Sequence, residues 1–258
     1  MSTFKKNPKN MLRFLCSAAL AIIFLSAAGC SSYLSRYYFG DLFAGSKTDT
    51  PVQKGAQQLA LQGMQQLQKK DYGDAAESFQ QLKNHYPYSK YAILAQLKLG
   101  DAYFYDRKYS DAALAYDEFV RLHPQNEVTP YVLYQMGMCH FLEFSSIDRD
   151  PEETHKAMDA FRRVVENYPQ SQYARKARVQ YFECQKRVVA HDFYVGQFYY
   201  GTGKYWAAKE RLANIQQNYP AAVHALGYQK QIRAMLAVCN EHIKQGAPKP
   251  SIWVRLGF

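Results

Sequence analysis

The chain has 258 residues, which is enough for one or two domains with a sizeable buried core. Its formal net charge is +10 at pH 7, and without the first 29 residues it is +6, from 28 basic and 22 acidic residues. This mild excess is compatible with an acidic protein partner or a membrane surface. No run of Lys or Arg alternates with aromatic residues, so nucleic acid is not an expected partner.

Residues 1–29 have the pattern of a lipoprotein signal peptide. A basic stretch precedes an apolar stretch from Phe14 to Leu25, which is too short to span a membrane. Small residues then lead to Cys30, the expected site of lipidation. A lipoprotein usually has Leu three positions before this cysteine, whereas this chain has Ala27, so ordinary secretory cleavage in the small-residue stretch is the alternative. Ser31 follows the cysteine instead of an inner-membrane retention Asp, which favours the outer membrane.

Three further segments follow the signal peptide. Residues 30–52 are polar and turn-rich, and we predict a lipidated, flexible tether. Residues 53–245 are the predicted folded domain, and residues 246–258 are a C-terminal tail to which the sequence gives no role. The cysteines in the domain lie in apolar helical patterns without zinc-site spacing, so we predict buried free thiols. They are Cys139, Cys184 and Cys239.

One motif recurs four times in the domain. Each copy has a small residue, a large apolar residue four positions later, and a proline eight positions after that. The copies are Ala75/Phe79/Pro87, Ala112/Tyr116/Pro124, Ala157/Phe161/Pro169 and Ala208/Leu212/Pro220. The small residue lets two helices approach, the large one lies on the same helix face, and the proline ends the helix. This spacing predicts the second helix of a tetratricopeptide repeat, a helix–turn–helix unit of about 34 residues.

The glycines at positions 63, 100, 137 and 196 mark the first helix of each repeat. We therefore predict an all-α tetratricopeptide-repeat solenoid of about four to five helix pairs; four unrelated amphipathic hairpins are the alternative. Ser89 and Thr129, the latter followed by Pro130, are the expected N-caps of the second and third pairs. A single long helix is predicted over 171–200, and one final helix over 222–244.

The sequence contains no pattern typical of an active site. A glycine-rich phosphate loop, a His-Glu-x-x-His pair and a nucleophile elbow are all missing from it. The seven histidines are scattered along the chain. We therefore predict a protein that is not an enzyme and needs no cofactor or metal.

The whole arrangement resembles the BamD family, the tetratricopeptide-repeat lipoproteins of the β-barrel assembly machinery of the outer membrane. The resemblance rests on the small residues before Cys30, on the fused long helix, and on three short stretches. These stretches are Arg121-Leu122-His123-Pro124, Asp148-Arg149-Asp150-Pro151 and Tyr168-Pro169-Gln170-Ser171-Gln172-Tyr173. It covers roughly residues 30–245.

The resemblance implies an outer-membrane lipoprotein that faces the periplasm and is held in the bilayer through Cys30. It implies that the chain binds the POTRA domains of the barrel-forming subunit, other lipoproteins of the machinery, and unfolded outer-membrane proteins. The amino-terminal repeats are the expected substrate side, and the carboxy-terminal repeats the expected docking side. The alternative is a generic periplasmic tetratricopeptide scaffold that organises peptidoglycan or secretin complexes.

Two sets of residues are candidates for these contacts. The docking candidates lie on the long helix, where solvated charge is the alternative interpretation; they are Arg175, Arg178, Lys186 and Arg187. The substrate-groove candidates come from aligning the first helices on their glycines; they are Met64, Leu97, Phe104, Tyr105, Tyr134, Met138 and Phe141. An apolar, Met-bearing groove suits an extended peptide with alternating large side chains. Packing against neighbouring helices is the alternative for this second set.

Overall fold

The computed structural model describes Leu42 and residues 51–143 and 151–246. Within these ranges the chain forms ten α-helices and no strand, which confirms the predicted all-α solenoid. The helices are α1 (Pro51–Lys69), α2 (Tyr72–His85), α3 (Ala92–Tyr105), α4 (Tyr109–Leu122), α5 (Thr129–Glu143), α6 (Glu152–Asn167), α7 (Gln172–Gly201), α8 (Tyr205–Asn218), α9 (Pro220–Ala225) and α10 (Gln229–Lys244).

Each repeat is held by one close contact between its two helices. The glycine of the first helix lies against the large apolar residue of the second, and a Cβ at that glycine would meet this side chain at 2.5–2.8 Å. The four pairs are Gly63/Phe79, Gly100/Tyr116, Gly137/Phe161 and Gly196/Leu212. The large residues are fully buried, as the repeated motif predicts. Most helices pack against their neighbours in sequence, which is the arrangement of a solenoid.

The two predicted N-caps are wrong. Helix α3 begins at Ala92 with Tyr91 as its N-cap, and the buried hydroxyl of Ser89 has no hydrogen-bond partner among the described residues. Thr129 is the first residue of α5 rather than its cap. Its hydroxyl donates to the carbonyl of His123 at 2.8 Å, so it ties the α4–α5 turn together instead.

The end of the solenoid also differs from the prediction. Residues 222–244 do not form one helix, because the chain turns between α9 and α10 at Gly227, which has φ +73°. A glycine adopts this left-handed conformation without the steric cost that other residues meet. Tyr228 donates its backbone N–H to the carbonyl of Val223 at 3.2 Å, which closes α9 in the manner of a glycine C-cap.

The predicted long helix is confirmed as α7, which has 30 residues. The hydroxyl oxygen of Ser171 caps it by accepting a hydrogen bond from the backbone N–H of Tyr173 at 3.2 Å.

The hydrophobic core divides into two clusters within α7. One cluster of buried residues runs from Ala56 to Val188, and a smaller one runs from Val189 to Ile232.

A buried polar cluster joins α3, α4 and α5 inside the larger core. The carboxylate of Asp101 accepts hydrogen bonds from Tyr116 at 2.8 Å, from Tyr131 at 2.7 Å and from the Lys98 ammonium at 2.7 Å. Asp101 and Lys98 are both buried. Burial, and then the charge of Asp101, raises the pKa of both tyrosines well above their ordinary value, so their hydroxyls remain donors.

The cysteines of the domain are free and buried, as predicted. Burial raises the pKa of Cys184 to about 12, so its thiol stays protonated at neutral pH.

Cys30, the signal peptide and nearly all of the tether lie outside the described residues. Leu42 in the tether is an exception to the expectation of little fixed structure. It packs against the core, and its carbonyl accepts a hydrogen bond from the Tyr91 hydroxyl at 3.0 Å.

Candidate functional site

The structure leaves one of the seven predicted groove residues exposed. Tyr105, at the end of α3, is 39% exposed. Leu97 is 1% exposed and belongs to the core, so its prediction as a groove residue is wrong. The other five are partly buried and pack against the core; they are Met64, Phe104, Tyr134, Met138 and Phe141. The seven side chains therefore do not form one continuous aromatic groove.

The geometry of the helix explains this outcome. Leu97 precedes Gly100 by three residues and lies about 60° from it around the helix axis, so it faces α4, against which that glycine packs. Phe104 follows the glycine by four residues and lies about 40° from it, close to the same contact. Tyr105 lies about 140° away and therefore points out of the helix pair. The prediction treated these positions as one surface, although they lie on different faces.

Tyr105 belongs to an aromatic cluster that joins three helices. Its ring stacks on Tyr72 of α2, with ring centroids 5.5 Å apart and an interplanar angle of 26°. Phe104 meets Tyr105 edge to face at 5.7 Å and meets Tyr109 of α4 at 5.6 Å. We call these four residues the Tyr105 cluster. It offers a partly exposed apolar surface with phenol groups, which suits a large apolar side chain of a peptide.

Sequence reasoning missed Tyr72 and Tyr109 of this cluster. A signal was available, because each is the first residue of the second helix of its repeat. Each follows the repeat's glycine by nine residues, and so does Tyr205 in the fourth repeat. A tyrosine nine residues after the repeat's glycine predicts a ring at the junction between the two helices of that repeat. The ring is expected next to the residue four positions after the glycine.

Of the predicted docking residues, Arg175 and Arg178 are exposed on the first half of α7. Lys186 is partly buried; its ammonium pairs with Glu183 at 2.8 Å and lies 5.6 Å from the ring centroid of Phe182. It lies about 20° from Arg175 around the helix axis but about 16 Å along it. These three residues therefore share one side of α7 without forming a compact site.

Arg187 differs from Lys186 because its contacts lie on another helix, α5. Its Nη1 donates to the backbone carbonyl of Phe141 at 2.7 Å, and its guanidinium carbon lies 3.4 Å from the centroid of the Phe141 ring. Phe141 lies in the last turn of α5, where helix carbonyls lack partners within the helix. Partial burial lowers the pKa of the Arg187 guanidinium. Arg187 therefore braces α5 against α7, and its role in docking remains a prediction.

A second surface, which the sequence did not indicate, is a shallow groove of about 730 Å³ between α4, α5 and α6. Ala113, Met136 and exposed Leu114 line it together with several charged residues. His140 Nδ1 and a carboxylate oxygen of Glu153 are 2.7 Å apart in this groove. Partial burial acts to raise the pKa of Glu153, but hydrogen bonds from Lys156 and His140 outweigh it and lower that pKa.

Within the described ranges, no group of three His, Cys, Asp or Glu side chains is arranged to hold a metal ion. In the same residues, no helix has both the length and the apolar character that a membrane crossing requires.

Comparisons with known proteins identify similar chains. The model of the YfiO family, described as outer membrane lipoprotein, matches residues 52–245. The outer membrane protein assembly factor BamD of Caulobacter vibrioides is 24% identical over 206 residues, which are 80% of this chain and 64% of that protein. The assembly factor BamD of Neisseria meningitidis serogroup A is 29% identical over 205 residues, covering 72% of this chain and 77% of the relative. The chain thus spans just under two thirds of the Caulobacter relative.

Solved structures give a more distant likeness. The crystal structure of MamA protein has 17% identity and a TM-score of 0.39, with 74% of this chain and 89% of that chain covered. A tetratricopeptide repeat protein from Parabacteroides merdae has 14% identity and a TM-score of 0.40, with 76% and 81% covered.

Proposed function

The chain belongs to the YfiO family of outer membrane lipoproteins, and from this premise we propose that it is a non-enzymatic factor in outer membrane protein assembly. The family match over residues 52–245 carries the proposal, because it spans the whole helical domain rather than a single repeat. The names of the relatives, which are outer membrane protein assembly factors, support the same role.

In this proposal the protein is anchored at the periplasmic face of the outer membrane through lipid on Cys30. Stable attachment to a bilayer needs more than one acyl chain, which a lipidated cysteine of this kind provides. Replacement of Cys30 by Ala is expected to release the protein from the membrane fraction. Unchanged membrane partitioning of a cleaved Cys30→Ala protein would contradict this anchor.

The partners in this proposal are the POTRA domains of the barrel-forming subunit and the other lipoproteins of the machinery. Arg175 and Arg178 are the docking candidates that remain exposed on α7. We expect the barrel-forming subunit to co-purify with the wild-type chain and to be lost with an Arg175→Glu, Arg178→Glu variant. The matched control is Lys230→Glu, Arg233→Glu on α10, where both side chains are exposed and three residues apart, as Arg175 and Arg178 are. Equal recovery with all three proteins would contradict docking through α7. Failure of the wild type to recover that subunit would favour a generic envelope scaffold.

The Tyr105 cluster is the proposed contact for unfolded substrate. In an extended strand every second side chain lies on the same side, about 6.8 Å apart. The ring centroids of Tyr72 and Tyr105 are 5.5 Å apart, so neighbouring large side chains of such a strand can reach both rings. Outer-membrane strands carry alternating apolar side chains on their lipid face, which is the pattern that this surface fits.

A photoreactive residue at position 105 tests this contact in the full-length protein. We expect it to capture the C-terminal segment of an unfolded barrel protein, because that segment lies across the Tyr105 cluster. The control position is Glu77, which is exposed on α2 outside the cluster. Capture of the segment from position 77 and not from position 105 would show that the substrate lies elsewhere.

A further inference from the structure

The turn between the first two repeats carries an aromatic ring that no other part of the described chain covers. Tyr88, in the α2–α3 turn, is 100% exposed. It directly follows Pro87 of the first repeated motif, whereas Gln125, Gln170 and Ala221 follow the prolines of the other three. The first repeat therefore differs from the others by an apolar ring at a position where they have polar or small side chains.

A second exposed apolar side chain lies at the same end of the first helix pair. A Cβ at Gly55, in the second turn of α1, would lie 2.6 Å from the hydroxyl of Tyr86, which is the C-cap of α2. The start of α1 is thus next to the α2–α3 turn. Val52 is 62% exposed and precedes Gly55 by three residues. Val52 and Tyr88 therefore lie at one edge of the solenoid.

The charges at this edge are positive. Helix α1 contains no Asp or Glu, and neither does the stretch from Ser78 to Gly100. Exposed Lys54 lies on α1, and exposed Lys90 follows Tyr88 by two residues. The turns at the other end of the same two repeats carry acidic residues, Asp71 and Asp106. We call the surface formed by Val52, Lys54, Tyr88 and Lys90 the Tyr88 edge.

The tether joins the folded domain close to the Tyr88 edge. The hydroxyl of Tyr91, the N-cap of α3, donates to the carbonyl of Leu42 at 3.0 Å, and Leu42 packs against the core. Twelve residues separate Leu42 from Cys30, and they span at most about 40 Å. The end of the tether continues into α1 at the same edge. Lipid on Cys30 would therefore hold this edge, rather than the far end of the solenoid, near the bilayer.

We propose that the Tyr88 edge rests on the anionic surface of the bilayer that holds the lipid of Cys30. Tyr88 and Val52 enter the headgroup layer, where an aromatic ring keeps its hydroxyl in contact with water. Lys54 and Lys90 place their ammonium groups at lipid phosphates while their stems lie along the apolar layer.

The contact sets which side of the solenoid faces the membrane. Alone it is too small to hold the protein on a bilayer, but a short tether raises the local concentration of the edge to about millimolar, so a weak contact is populated. The proposal rests on the proposed lipid anchor and adds the orientation that the domain takes on it.

Fluorescence quenching in reconstituted vesicles tests this contact. The full-length lipoprotein is purified from membranes with a fluorescent aromatic amino acid at position 88 and placed in vesicles of phosphatidylethanolamine and phosphatidylglycerol that contain a nitroxide-labelled phospholipid. The control is the same amino acid at Gly73, where a side chain meets nothing within 4 Å. Position 73 is at the other end of α2, about 20 Å away, so we expect quenching at position 88 to be about threefold greater or more.

Two matched variants of the protein labelled at position 88 test the residues of the edge. Val52→Asp, Lys90→Glu should lower the quenching by about twofold or more, because it removes one apolar and one cationic contact. Leu61→Asp, Lys69→Glu changes one exposed apolar residue and one exposed lysine elsewhere on α1 and should leave the quenching unchanged. Equal quenching in the two variants would overturn the proposal. Quenching of the same size in vesicles of phosphatidylcholine alone would overturn the role of the two lysines.

Flotation of the same vesicles on a density gradient checks the anchor separately. A protein that does not float with the vesicles would overturn the lipid anchor, and the membrane contact with it. A protein that floats but is quenched equally at positions 88 and 73 would overturn the contact and leave the anchor in place.

Discussion

Asp101 is the residue that links three helices inside the core. Its carboxylate is fully buried and bonded to Lys98 from its own helix and to tyrosines from α4 and α5. A buried ion pair is weak evidence for net stability, because both ions lose their hydration. Removal of one member destabilises the folded state, since it leaves the other groups buried in the core without a hydrogen-bond partner.

We expect Asp101→Ala to lower the free energy of unfolding by about 3–5 kcal/mol, because it leaves the Lys98 ammonium and two hydroxyls unsatisfied. Urea denaturation followed by far-UV circular dichroism measures this change. Asp159→Ala is the control, since Asp159 pairs with Arg162 in an exposed position and should cost less than about 1 kcal/mol. Similar losses for the two variants would show that the buried cluster has no special role.

At the scale of the helix pair, one contact is repeated through the solenoid. In every repeat the glycine of the first helix receives a large side chain from the second. An aromatic pair follows it in two repeats, Phe104 with Tyr109 and Tyr200 with Tyr205, at 5.6 Å and 6.2 Å. In the third repeat Phe141 takes the place of Phe104, and the guanidinium carbon of Arg187 lies 3.4 Å from the centroid of its ring.

The glycine contact predicts a measurable difference between two glycines. In Gly100→Ala the new Cβ would lie 2.5 Å from the Tyr116 ring, which must shift, and we expect a loss of about 1–3 kcal/mol in unfolding free energy. In Gly73→Ala, near the start of α2, the Cβ meets nothing within 4 Å, and we expect no loss or a gain of up to about 1 kcal/mol. Urea denaturation of both variants is the measurement. Equal destabilisation would contradict the close approach at Gly100.

Helix pairs were predictable from the sequence because their motif is local. Ala75, Phe79 and Pro87 lie within thirteen residues, and the same spacing returns in each repeat. Burial that depends on another repeat was not predictable in this way. Leu97 and Asp101 look like surface or groove residues until α4 and α5 are in place around them. Arg187 looks like a free charge until the end of α5 lies beside it.

Backbone details at helix ends were also beyond the sequence pattern. Ser89 has the right residue type for a cap, but the chain turns once more before α3 starts. Gly227 lies inside an apolar pattern that continues on both sides, so the pattern suggested one helix where there are two. The family resemblance drawn from the sequence is confirmed by the family match, whereas the proposed lipidation, docking and substrate contacts remain predictions.

Across the whole molecule, burial is uneven along the solenoid. Helix α3 has nine buried residues, whereas α8 has three and α10 has two. The two core clusters meet between Val188 and Val189, in the middle of α7. In a solenoid each repeat contacts only its neighbours, so the local free energy of opening follows local burial. The carboxy-terminal helices α8 and α10 therefore have less apolar burial to oppose local opening.

This difference predicts how native-state hydrogen exchange will divide the chain. Amides in α8 and α10 should exchange faster than those in α3 and α5, because fewer buried side chains must separate when these helices open. The rate within α7 should change near Val188, where one core cluster ends and the next begins. Mass spectrometry of peptides from the intact protein gives the rates, and α6, which packs within the larger cluster, serves as the slow reference. Uniform exchange from α3 to α10 would mean that the two clusters open together, and that the solenoid behaves as one cooperative unit despite its divided core.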